Sequence, residues 1–168
     1  AQEAGVKYFF LGAMSAAVML FGFSYLYGTT GTTSISDITA MFAKSQGASM
    51  GPVQLTSWQM LAVVMLIAGF AFKLAAVPLH FYAGDVYQGA ATPVTALLSF
   101  VPKTAGRVAL IKILYCVGGG SWGVPHEIAK LIWILAVLTM TVGNVLGLLQ
   151  LNVKRVLAYE ALSETDFG

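Results

Sequence analysis

The sequence predicts an all-α fold: a polytopic transmembrane helical bundle with a proline-broken helix. Three observations carry that expectation. Apolar residues make up 58% of the chain and charged residues only 10%. Mean hydropathy is +0.80. The apolar residues also gather into stretches of spanning length, one of them interrupted by a lysine and then a proline. A soluble domain carries roughly 25% charged residues. This chain could not cover its surface with polar groups in water, so a lipid bilayer must solvate much of it.

The elements follow in order, taking about 20 mainly apolar residues as one crossing. The first span covers about 6–27, and Tyr8 to Tyr27 carry no charge. Thr29 to Ser34 read as a turn. Residues 35–54, with Asp37, Lys44, Gly51 and Pro52, form a polar connection that can hold a short amphipathic helix around Ile35–Ala43. The second span covers about 55–82. Proline lacks an N–H and clashes with the carbonyl four residues back, so Pro78 should break this helix near 74–78. A second half should then run from about Pro78 to Tyr82, with Gly84-Asp85 and Gln88-Gly89 in a loop. A third span covers 93–117 and contains Pro102, Lys103, Arg107 and Lys112. Gly118-Gly119-Gly120 and Pro125 make the next turn. A fourth span covers 128–151, and a fifth helix starts at 153.

Loop cations favour the cytoplasmic side. Lys154 and Arg155 therefore place the connection after the fourth span in the cytoplasm, together with the start of the first helix and the 83–92 loop. Lys44 is the exception to this pattern. The chain starts Ala-Gln-Glu and stops at Gly168 in what reads as an opening helix, so the expectation is a fragment of a longer polypeptide. Its formal net charge is +2, and no Lys/Arg run offers a nucleic-acid surface. Cys116 has no partner for an internal disulfide and reads as packing, and no His/Cys cluster has metal-ligand spacing.

Chemistry is expected at ionisable groups inside the spans. A charge at the bilayer centre costs at least about 2.5–3.5 kcal/mol, so such residues face a bundle interior or a water-filled path. Lys73 is the best placed, beside a break whose unpaired backbone groups can hold water or an ion. Burial penalises the charged form of an amine and a nearby carboxylate favours it, which suits a lysine to proton relay. Lys103 follows Pro102 close to mid-membrane, with Arg107 one turn along. His80 is either a satisfied core histidine or a relay group. For Lys7, Lys112 and Lys130, snorkelling to the interface is the competing reading. Gly12, Ala13, Ala16 and Ala17 suggest a close-packing helix face. Tyr25, Tyr27, Trp58 and Tyr82 read as interface anchors.

The stretch from Gly69 to His80 (GFAFKLAAVPLH) resembles the broken-helix motif of the antiporter-like subunits of NADH–quinone oxidoreductase, respiratory complex I. Asp85-Val86-Tyr87-Gln88-Gly89-Ala90, Thr92-Pro93-Val94-Thr95-Ala96, Pro102-Lys103 and Asn152 to Tyr159 (NVKRVLAY) extend the likeness. The Asp-Val-Tyr tripeptide, the Pro-Lys pair and Glu3 to Tyr8 (EAGVKY) point among these to subunit N. The resemblance implies helices six to nine and the opening of ten of a fourteen-helix subunit, residues 1–168 forming part of one proton-translocating membrane domain. It implies that Lys73 is the central proton-transfer group, Lys103 the connecting lysine of the next helix, and Lys7 and His80 further relay candidates. The glutamate paired with Lys73 would lie on a preceding helix.

The same resemblance implies no cofactor and no redox site in this chain. NADH, FMN, iron–sulfur clusters and quinone would belong to other subunits. Implied partners are the antiporter-like subunit M, the small subunit K and the lipid bilayer, in a bacterial inner (plasma) membrane rather than an organellar one, with no nucleic acid. Three departures stand out. His80-Phe81-Tyr82-Ala83-Gly84-Asp85 replaces the family's usual run after the histidine. Arg107 replaces a commonly apolar residue. Glu160 to Glu164 replaces a stretch that commonly ends in histidine. The related readings are a subunit of a multisubunit sodium/proton antiporter or membrane-bound hydrogenase, and a passive membrane scaffold.

Overall fold

The structure, a computed structural model, describes residues 2–47, 55–120 and 123–164, the side chains at 46–47 and 161–164 excepted. Gly51 and Pro52 of the expected polar connection lie outside the described residues. All regular structure among the described residues is helical: α1 (Gln2–Thr30), α2 (Ile35–Gly47), α3 (Ser57–Leu74), α4 (Ala83–Gly89), α5 (Thr92–Val117), α6 (His126–Leu148) and α7 (Val153–Glu164). Four of these, α1, α3, α5 and α6, are long and apolar enough to cross a membrane.

Helix α3 is the centre of the bundle. It starts at a capping box in which Thr56 Oγ1 accepts from the Gln59 amide and the Gln59 side chain accepts from the Thr56 amide. Ala62, Val63, Leu66, Ile67 and Phe70 are buried along it. Helix α1 packs on α3 through Ser15, Met19, Gly22 and Leu26, and the Ser15 hydroxyl donates to the Gly69 carbonyl at 3.1 Å. Gly69 is required by this approach, because a Cβ there would run into Met19 Cγ. The contact face is therefore one step round the helix from the small residues expected to form it. Ala13, Ala16 and Ala17 are exposed, and Gly12 and Ala13 line a cavity.

Helix α2 lays Ile38 and Phe42 against α1, α3 and α5. The turn after α5 needs Gly119 and Gly120, whose φ values of 64° and 81° fall where L side chains are strained. Tyr25 stacks on Trp58 with ring centroids 5.8 Å apart, at the α2 end of the bundle. Tyr82 differs from its expected place at an interface. It is buried against Phe72, centroid to centroid 4.6 Å.

Candidate functional site

The broken helix begins where α3 stops. Ala75 adopts the left-handed conformation (φ 59°, ψ 30°), and its amide and that of Ala76 turn back to Phe72 and Ala71. Residues 76–82 continue as tight turns, with Leu79 N donating to Ala76 O and Ala83 N to His80 O. Helix resumes only at Ala83, five residues later than the expected restart at Pro78. The segments expected as a loop, Gly84-Asp85 and Gln88-Gly89, are the second half-helix itself. The amides of Ala75, Ala76, Leu79 and Ala83 are satisfied within the segment, and the hydroxyl of Tyr82 reaches back to the Phe72 carbonyl at 2.8 Å. The remaining tie is to α6. The Val77 amide donates to Thr139 Oγ1 at 3.0 Å, and the fully buried Thr139 hydroxyl donates to Leu135 O at 2.7 Å.

A second proline creates the matching feature in α5. Pro102 has no N–H for the carbonyl of Leu98, four residues back. The Tyr87 hydroxyl on α4 donates to that carbonyl at 3.3 Å. Lys103, next to the proline, is buried at 6% exposure and holds its Nζ 5.7 Å from the centre of the Tyr87 ring. That distance fits a cation–π contact. Two tyrosines of the broken segment thus serve carbonyls on the two helices that bear the lysines.

Lys73 and Lys103 open onto one cavity of about 360 Å³, bounded also by Tyr8 and Gly12 of α1, Tyr82, and Tyr87 of α4. Lys103 is enclosed, whereas Lys73 is exposed at the open side of the described bundle. Among the described residues no carboxylate lines this cavity. Arg107 points elsewhere, into a separate space of about 190 Å³ among Ile67, Leu74, Ala76 and Leu135. At Gly106 α5 approaches α3 closely, since a Cβ there would sit 3.2 Å from Leu74 and 3.9 Å from Lys73 Cβ. Arg107 Nε is buried with no hydrogen-bond partner.

Lys7 and His80 do not line the lysine cavity. Lys7 lies at the end of α1 beside α4, in an ion-pair cluster with Glu3 (2.8 Å) and Asp85 (3.0 Å). Arg155 of α7 reaches the other oxygen of Asp85 at 2.9 Å. Asp85 thus ties the second half-helix to α1 and α7 together. Lys7 adjoins Tyr8, and Asp85 adjoins Val86, so a polar cleft of about 380 Å³ and the lysine cavity sit back to back across α1 and α4. His80 is buried against Phe81, with rings 4.9 Å apart and its Nδ1 unpartnered. Among the described residues no group of three or more His, Cys, Asp or Glu is placed to hold a metal ion.

Tyr82, Tyr87, Thr139, Asp85 and Arg155 shape the site without standing among the site residues expected from the sequence. For Tyr87 a signal existed: a tyrosine near a Pro-Lys pair can supply the donor that proline lacks. For Asp85 the signal was an acid at the membrane end where Lys7 and Arg155 also fall.

Fold and site together define a polytopic membrane protein built round an interrupted helix whose lysine shares a cavity with a lysine of the next span. Residues 1–166 match the family described as NADH:quinone oxidoreductase/Mrp antiporter, transmembrane, and the chain belongs to that family. It is 42% identical over 168 residues to NADH-quinone oxidoreductase subunit N of Trichlorobacter lovleyi, covering 98% of this chain and 32% of the relative. It is also similar to a chain of respiratory complex I from Thermus thermophilus with bound aureothin (32% identity, TM-score 0.76, 98% of this chain and 32% of that one). A chain of the membrane-bound sulfane sulfur reductase, an archaeal respiratory membrane complex, is similar at 28% identity and TM-score 0.83, again over 98% and 32%. This chain spans about a third of the length of the curated relative it matches.

Proposed function

We propose that this chain is the part of subunit N of an NADH–quinone oxidoreductase that carries protons, coupling quinone reduction elsewhere in the complex to proton transfer across the membrane. The single observation that carries the reading is the cavity shared by Lys73 and Lys103 at the interruption of α3. An ammonium in such a place holds or releases its proton according to hydration and neighbouring charge. Two amines on adjacent spans can therefore pass a proton laterally through water without either side chain crossing the bilayer. The resemblance supplies a glutamate partner for Lys73 from another helix of the subunit. Movement of that carboxylate, or of its own counter-charge, would bias Lys73 between holding and releasing its proton.

Lys7 takes the place of an auxiliary group at the rim, its charge shared with Glu3 and Asp85 next to the wall formed by Tyr8. His80 is a relay candidate on the strength of its unpartnered Nδ1 beside the break. Electron transfer would fall to other subunits carrying NADH, FMN, iron–sulfur clusters and quinone. Adjacent partners would be subunits M and K, in a bacterial inner membrane.

Exchange of Lys73 for Ala in the assembled complex should abolish NADH-driven proton pumping. Pumping at the wild-type rate, with assembly verified, would reject the assignment. The second reading, a subunit of a sodium/proton antiporter complex or a membrane-bound hydrogenase, draws on the family's Mrp members and on the likeness to the sulfane sulfur reductase. Sodium-dependent transport without quinone reduction would favour it.

A further inference from the structure

At the end of the bundle remote from Asp85, α2 lies across a second cavity of about 390 Å³ between α1, α3 and α5. That is within the range of small-molecule sites. Leu26, Ile38, Phe42, Phe70 and Val117 wall it, all nearly removed from solvent. Lys112 is the charged residue of the lining, and it is exposed. Among the described residues no salt bridge includes Lys112.

Depth decides what such a cavity can hold. Helix α5 has 26 residues, about 39 Å at 1.5 Å per residue, so roughly 4–5 Å projects beyond each face of a hydrocarbon core of about 30 Å. Lys112 lies five residues before the end of α5, which puts its Cα about 3 Å inside the boundary. From there the lysine stem brings the ammonium to headgroup level. The cavity runs inward from that point. Phe70 packs in one cluster with Ala109, which lies three residues, about 4–5 Å, deeper along α5 than Lys112. The cavity is thus an apolar slot reaching about one helical turn inward from a cation at the interface. Over it lies an amphipathic surface helix with Ile38 and Phe42 turned inward, while Asp37 and Lys44 are outside the slot's lining.

We propose that this slot binds an anionic phospholipid, the headgroup-proximal part of one acyl chain seated beneath α2 and the phosphate paired with Lys112. Apolar walls reject a polar ligand, and the cation at the rim calls for a charge-assisted partner such as phosphate. The site is independent of the lysine cavity, and the inference stands or falls separately from the proton-carrying reading.

The test uses the assembled complex in nanodiscs, with chain-labelled phosphatidylglycerol and phosphatidylcholine compared by electron spin resonance. Phosphatidylglycerol should show an immobilised population beyond that of phosphatidylcholine. Lys112→Met should weaken its retention about five-fold, the factor equivalent to the roughly 1 kcal/mol a single basic residue contributes at an anionic membrane surface. NADH oxidation should be unchanged. Equal immobilisation of both lipids, or no response to Lys112→Met, would overturn the proposal. So would a structure of the complete complex with a protein segment in the slot.

Discussion

Among the described residues one hydrogen bond ties the interruption of α3 to α6, and removing its acceptor gives a measurable prediction. In Thr139→Val the side chain keeps nearly its volume but loses the oxygen that receives the Val77 amide at 3.0 Å. Thr139 has no solvent exposure, so water cannot easily replace the lost acceptor. A donor left unpaired in such surroundings costs about 1–3 kcal/mol. Falling on the broken segment, that cost should open it about 5- to 150-fold more often. Hydrogen–deuterium exchange on the assembled complex, read in the peptide spanning 75–82, should therefore quicken by such a factor. Thr139→Ser keeps the acceptor and should exchange at close to the wild-type rate. Thr141→Val, which deletes an exposed hydroxyl bonded to its own helix at Val137, should leave that peptide unaffected. If the segment in Thr139→Val stays as protected as in wild type, the tie to α6 does not hold the break in place.

Two further outcomes follow from packing and charge. Gly69→Ala should lower the thermal midpoint of the complex, since the new methyl meets Met19 and overpacking costs about 1–3 kcal/mol. Adding Met19→Ala should recover part of the loss, and a double variant no better than the single would refute this contact as the cause. Asp85→Asn deletes the ion pairs to Lys7 and Arg155 and should also lower the midpoint. Because partly exposed pairs are screened, the deficit should shrink as ionic strength rises. A deficit indifferent to salt would mean that it arises elsewhere.

How much of this was legible in the residues depends on whether the cause was local. Pro78 announces a break because the ring itself forbids the helix, and the long uncharged runs announce spans because nothing but lipid accommodates them. Where helix resumes was not legible. It depends on turns closed by Leu79 and Ala83 amides and on the reach of Tyr82 back to Phe72, which are tertiary outcomes. The same holds for the site. Lys73 and Lys103 stand out as charges in apolar spans, but their opening onto one cavity follows from how α3 and α5 cross at Gly106. The divergence of Arg107 from Lys103 follows from the same crossing, although the residues are one turn apart. The Asp85 cluster joins positions 78 and 70 residues apart in the chain, beyond any local pattern. Tyr82 reads as an interface aromatic by its distance from the span centre, yet Phe72 offers it a better surface than the headgroups do.

The shared cavity can be tested without touching either lysine. Gly12 lines it, and a Cβ at that position meets nothing within 4 Å, so Gly12→Leu places an apolar side chain where water would have to run. The ratio of protons translocated to NADH oxidised, measured in proteoliposomes with the assembled complex, should fall in Gly12→Leu. It should hold in Gly5→Leu, whose Cβ is equally unobstructed but lies outside that cavity's lining. An undiminished ratio in Gly12→Leu, with the leucine seen to occupy the cavity, would contradict proton passage between Lys73 and Lys103 through this space.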